Sequence, residues 1–303
     1  MFRLKDIILL LVIYLSMLTG IMLPRAFTCL QPYPLYLMML LLFLSLLPIK
    51  TKTVWRTVRD SFKTIFTLTL FKLIILPAAV YVLFHIFCPP YAVASLLLTG
   101  ISTGVVAPFN SNLLRANSSL VLVMVVVSSI LAPFTLPILV KLFLAKSVGI
   151  SLFAMIRMLC LVIFVPFLAV QMIRRLSPGL NLLIMKRQFP LSLVAFALIN
   201  LGVFPQYADL FRRNPAIILD ATLVACILSG IYVLSGMIFY QRRSLETRLA
   251  AAVSLANMNN VLIIVFSSHF FGPLEPTLAA MYMIPFFGLI LPLRFYSHLK
   301  GSR

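Results

Sequence analysis

Ten apolar stretches separated by short polar or basic turns set the pattern of this chain: residues 7–23, 33–49, 64–87, 92–109, 120–144, 150–172, 189–204, 216–240, 249–271 and 277–293. A helix rising 1.5 Å per residue needs about 20 apolar residues to cross a bilayer. The pattern therefore predicts an all-α integral membrane protein of ten transmembrane helices, in a single domain over residues 1–303, with no soluble module. The first stretch follows Arg3 and Lys5 as a secretory leader would. No small-residue cleavage site precedes the next apolar segment, so it reads as the first span.

The fourth stretch departs from a plain helix. In residues 99–117, TGISTGVVAPFNSNLLRAN, Gly100, Gly104 and Pro108 fall within nine residues and are followed by Asn110, Ser111 and Asn112. Proline removes a backbone donor and crowds the preceding turn, and glycine weakens the same turn, so the helix is expected to break between Gly104 and Pro108. In hydrocarbon such a break is tolerated only where protein or a watery cavity satisfies the freed groups, and transporters place their cargo sites there. The ninth stretch carries a second amide run, Asn257, Met258, Asn259 and Asn260. Ten spans divide as five plus five, approximately 1–146 and 147–303. A five-helix repeat must be inverted in the membrane, which matches the fourth span with the ninth.

Composition narrows the class. The chain is 62% hydrophobic and 10% charged, with a mean hydropathy of +1.12, and cannot cover itself with polar surface in water. Its net charge of +19 would point to nucleic acid in a soluble protein. Here the basic residues collect in loops beside spans, where cytoplasmic retention accounts for them. With the N-terminus inside, 18 of the 25 Lys and Arg fall on the inner side and 5 (Arg25, Lys141, Lys146, Arg212, Arg213) on the outer. Both termini are thus expected in the cytoplasm, in the inner membrane if the source is bacterial. Cys29, Cys88, Cys160 and Cys226 have no metal spacing. No phosphate loop, zinc motif or nucleophile elbow is present, and an enzyme is not expected.

Three segments carry a family resemblance: KLIILPAAVYVL (72–83), LLRANSSL with the later SSILAPFTLP (113–137), and RLAAAVSLANMNNVLIIVFSSHF (248–270). They resemble the bile acid:sodium symporter family. That resemblance implies two inverted five-helix repeats with broken, crossing fourth and ninth helices, and transport of a small organic anion by alternating access. It also implies sodium ligands: a Ser-Asn pair in the fourth helix, hydroxyls on the fifth, Glu and Gln on the ninth and Gln on the third. Aligned without gaps, those positions read Ala107 and Pro108, Val121 and Val125, Val253 and Asn257, and Lys72. Sodium is bound by oxygen, which valine lacks, so the usual two-sodium coupling is not expected. A gap before Arg115 would let Ser111 and Asn112 serve as the Ser-Asn pair.

The candidate substrate- or ion-binding residues are therefore Lys72, Asn110, Ser111, Asn112, Asn257, Asn259 and Asn260, with Gly104 and Pro108 forming the helix break and no metal site. Lys72 stands about 12 Å inside the third span, and intramembrane ionisable groups are functional candidates by default. It acts as a fixed cation in place of sodium, or carries a proton, or simply reaches a watery inner cavity. Arg157 and Asp220 have similar depths and form a possible outer gate pair, a structural pair, or two residues in separate watery pockets. The amides either line a path or satisfy backbone freed at the breaks. The expected partners are a small organic anion and the lipid bilayer, with no nucleic acid. Proton coupling and facilitated diffusion are the open mechanisms. A non-transporting sensor that keeps the transporter fold is the alternative.

Overall fold

The computed structural model describes residues 4–49, 51–144 and 151–301. Within them the regular elements are helical, apart from one isolated antiparallel bridge between Thr103 and Met258. In chain order they are α1 (Leu4–Met22), α2 (Pro34–Leu46), α3 (Thr51–Asp60), α4 (Phe62–Phe87), α5 (Ala92–Gly100), α6 (Ala107–Leu113), α7 (Ser118–Leu144), α8 (Leu152–Leu176), α9 (Pro178–Lys186), α10 (Gln188–Val203), α11 (Ala208–Arg213), α12 (Ala216–Phe239), α13 (Leu245–Ala256), α14 (Asn260–Phe270), α15 (Leu274–Met281), α16 (Met283–Gly288) and α17 (Ile290–Gly301). Arg3, Lys50, Lys146 and Arg303, used above for orientation, lie outside the described residues.

Six described helices are long and apolar enough to cross a membrane: Phe62–Phe87, Ser118–Leu144, Leu152–Leu176, Gln188–Arg213, Ala216–Phe239 and Leu274–Ser297. Joining Ile7–Met22 to the turn Pro24–Leu30, across a 111° bend, makes a seventh. The shortfall from ten has a local cause. The second apolar stretch yields only 13 helical residues, the fourth is divided into α5 and α6, and the ninth into α13 and α14. The protein is an integral, multi-pass membrane protein.

Three helices, α3, α9 and α11, fall outside the apolar stretches. One of them, α3, is amphipathic: Val54 and Val58 are half-buried, while Trp55, Arg56 and Arg59 are exposed. That division suits a helix lying along a membrane surface.

The spans pack in two groups. In one, α1 and α2 pack on α10, and α2 also packs on α8. In the other, α12 packs on α13 and α15, while α5 packs on α4, α7 and α15. The groups meet where α7 contacts α8. The second is held close by small residues: Ala250, Ala251, Ala252 and Ala256 of α13 are fully buried, and a Cβ on Gly236 of α12 would lie 2.6 Å from the Ala252 backbone. Small side chains are what allow membrane helices to approach in this way.

The end of α6 shows how the chain turns into α7. Arg115 has φ 55°, Ala116 N–H donates to Ser111 O at 2.9 Å and Arg115 N–H to Asn112 O at 3.2 Å. This is a Schellman cap with arginine where glycine is usual, and a left-handed conformation costs an L-residue about 1–2 kcal/mol. Arg115→Gly is therefore expected to raise stability by about 1 kcal/mol in detergent melts. A lowered melting temperature would mean that the arginine side chain contributes more than the strain costs.

Candidate functional site

The two broken helices meet at their breaks within the second group, forming a crossing of backbone segments. Between α5 and α6 the backbone extends from Ile101 onward, and between α13 and α14 it leaves the helix at Asn257. The two segments pair antiparallel: Gly104 N–H donates to Asn257 O at 2.7 Å, and Asn259 N–H donates to Ser102 O at 3.0 Å. Thr103 N–H donates to Ser128 Oγ of α7 at 2.9 Å, and Thr103 Oγ1 donates to Ser254 O at 2.9 Å. Freed backbone groups are thus satisfied inside protein, as a dry interior demands. Gly104 is required by this contact, because a Cβ there would lie 2.6 Å from Met258 O.

Of the predicted amides, Asn110 and Asn257 are brought together, with Asn110 Nδ2 donating to Asn257 Oδ1 at 2.5 Å. Both are buried. Asn259 caps α14 by accepting from Leu262 N–H at 3.4 Å. Asn260 Nδ2 donates to Met283 Sδ at 3.2 Å, while its Oδ1 is buried without a partner, as are Ser102 Oγ and Ser254 Oγ. Ser111 is buried and donates to Pro108 O at 2.8 Å. Asn112 is exposed and accepts from Ser118 Oγ at 2.5 Å, which joins α6 to α7 rather than to the crossing. Asn112 thus stands apart from the other amides.

Lys72 lies within a π-helical turn of α4, Phe71–Ile75, in which Leu76 N–H reaches back to Phe71 O. Pro77 explains the turn. Proline has no N–H to give and its ring crowds the carbonyl one turn earlier, so the extra residue relieves the clash. Lys72 is fully buried, and its Nζ donates to Met258 Sδ at 3.0 Å. It reaches the crossing rather than a watery cavity. Around the same core Ala107, Val121, Val125 and Val253 are fully buried. These side chains offer no oxygen, and the Asn257 oxygen already accepts from Asn110. The residues present do not fit a sodium ion at the positions that the resemblance implies.

A groove opens beside the crossing, between the two helical groups. Leu42 and Leu46 of α2, Val126 and Ser129 of α7, and Phe164, Phe167, Gln171 and Arg174 of α8 line it, and Val54 of α3 joins them. Val105 and Asn259, one from each helix break, complete the wall. The lining is apolar with a few polar groups, as small-molecule sites are. Arg174 Nη2 donates to the carbonyls of Leu46, Leu47 and Ile49 at 3.1, 2.8 and 2.5 Å. These carbonyls belong to the last residue of α2 and the turn after it, so the arginine closes that end of the helix and places its charge at the cavity.

The Arg157 and Asp220 pair is not formed in this conformation. Both side chains are exposed, and no ion pair joins them among the described residues. The cause is helix packing: α8 packs on α2 and α7, whereas α12 packs on α13 and α15. Matching depth does not bring two helices into contact.

Sequence reasoning singled out the amides and Lys72 but missed the cavity residues Ser129, Gln171 and Arg174. Gln171, a polar residue near the end of an apolar stretch, was a readable signal. Arg174 was masked because cytoplasmic retention explained it equally well.

Among curated proteins no match to the chain is found. The model of the Sodium Bile acid symporter family matches residues 34–214, more than half of the 303. The match covers the first break, Lys72 and every cavity residue named above except Asn259. Members of that family are transporters rather than enzymes. With a helical membrane core, a broken helix at its centre and a matched region that spans both, this chain belongs to the sodium bile acid symporter family.

Proposed function

We propose that this protein is a secondary transporter that carries a small amphipathic organic anion across the cytoplasmic membrane by alternating access, without sodium at the family's usual positions. The observation that carries this reading is the cavity between the two helical groups, whose wall includes Val105 and Asn259 from both helix breaks. A ligand there touches both crossing segments, so movement of one group against the other changes access to it. The apolar lining suits a hydrophobic body, and Arg174, Gln171, Ser129 and Asn259 supply the charge and hydrogen bonds that orient an anionic head. The antiparallel bridge between the breaks supports ten spans in two inverted repeats, the short and divided helices being counted as spans. The excess of Lys and Arg on one side supports both termini inside. The lost oxygen ligands support sodium independence.

The test is uptake of a panel of amphipathic monocarboxylates into proteoliposomes, with choline replacing sodium. Saturable uptake in choline is expected. Val126→Trp, which fills the cavity, should reduce uptake by roughly tenfold or more, a loss of about 1.4 kcal/mol of interaction, while the melting temperature without substrate changes little. Strict dependence on sodium would overturn the ion reading. Binding with no flux in the wild type would replace the transporter with a sensor.

A further inference from the structure

The proposal above leaves open what drives the cargo, and the crossing supplies a candidate. We propose that Lys72 carries one proton with each anion, so that coupling to protons replaces coupling to sodium; this rests on the transport reading above. Three independent features of the structure converge on Lys72. It is fully buried, it sits on a π turn, and its amine meets Met258 between Asn257 and Asn259 of the second break. An ammonium has three donors to satisfy, and one thioether sulfur, a weak acceptor, is the partner present at Nζ. That accounting favours the uncharged amine while the crossing is closed around it. Asn259 stands one residue farther along the chain and faces the cavity. An anion bound there adds the counter-charge that an ammonium lacks, and water reaching the crossing supplies the proton.

Among the described residues, the elements packed on the π turn carry no buried acid or base besides Lys72. The π turn packs against the two halves of α4 and against α5 and α7. The first half of α4 carries only Lys63, exposed; the second carries Tyr81, which stacks on His85 and Phe143, and His85, exposed. There is no titratable residue on α5, and α7 has only Lys141, exposed. On the helices flanking Met258, Glu246 and His269 are exposed and Arg248 bonds to Tyr296. Of the buried hydroxyls nearby, Tyr232 bonds with Thr99 and Tyr282 donates to Ala256 O. No ion pair to Lys72 exists among the described residues, so its proton is free to leave as a proton.

Moving one proton with one anion is electroneutral: Nζ takes a proton from water on one side and returns it to water on the other. The measurement is accumulation of a monocarboxylate in sodium-free proteoliposomes with an acidic exterior, with protein-free vesicles reporting passive leak of the protonated acid. A gradient of one pH unit should drive about tenfold accumulation by the wild type above that background. Lys72→Met and Lys72→Gln should abolish this pH-driven accumulation. Their melting temperatures should match or exceed the wild type, since a buried amine with one weak acceptor is removed.

Accumulation by Lys72→Met equal to that of the wild type would overturn the proposal, as would wild-type accumulation that ignores the pH gradient. Either result leaves the transport reading standing. Absence of exchange of labelled for unlabelled anion in the wild type overturns both.

Discussion

Gly104→Val is expected to be the most damaging single substitution in the crossing. A Cβ at this position would lie 2.6 Å from Met258 O and 3.4 Å from Asn257 O, so the two extended segments must separate. Separation breaks the Gly104 to Asn257 hydrogen bond and strains the Asn259 to Ser102 bond. Overpacking a tight interior costs about 1–3 kcal/mol, and a buried backbone donor left unmade adds about 1–3 more. Thermal melting in detergent should therefore fall by several degrees or more, and transport should be lost even where protein remains folded. A variant that melts like the wild type would show that the crossing has room the structure does not contain.

The second large effect is expected at the amide pair. Asn257→Leu leaves Asn110 Nδ2 buried with nothing to donate to, and Asn110→Leu leaves Asn257 Oδ1 buried with nothing to accept from. Each single change should cost about 1–3 kcal/mol, because an unmade buried hydrogen bond costs more than a made one contributes. The double variant removes both polar groups, so its loss should be smaller than the sum of the singles by roughly 1 kcal/mol or more. Additive losses would mean that the two amides do not meet. The pair joins α6 to the second break, so the same cycle on transport reads whether that link moves during turnover.

Legibility of the site followed the range of the physical cause. Gly104 and Pro108 announced a break from sequence because helix propensity is local. The chain leaves the helix at Ile101. Pro108 sits in the first turn of α6, where a missing N–H costs nothing, with the amides following inside that helix. The identity of the partners was not local. Asn110 faces Asn257 while its near neighbour Asn112 turns away to Ser118, and a two-residue offset on a short helix decides between those fates. Arg157 and Asp220 illustrate the same limit. Depth can be counted along each helix, but the rotation and neighbour of each helix depend on the packing of all of them. Lys72 was marked as exceptional by its position in an apolar run. That it lies dry against Met258, instead of reaching water, required the π turn before Pro77 and the crossing behind it.

By itself the sequence determined that the chain is a multi-pass helical membrane protein and that two of its apolar stretches are interrupted. These follow from backbone hydrogen-bond requirements and side-chain chemistry, which each segment carries with it. Only the tertiary structure decided that the two breaks pair antiparallel through Gly104 and Asn257, that Lys72 meets Met258 in the second of them, and that the cavity forms against α2 and α8 with Arg174 at its wall. These are contacts between segments far apart in the chain, set by how small residues, prolines and bulges let whole helices approach. No single segment contains that information.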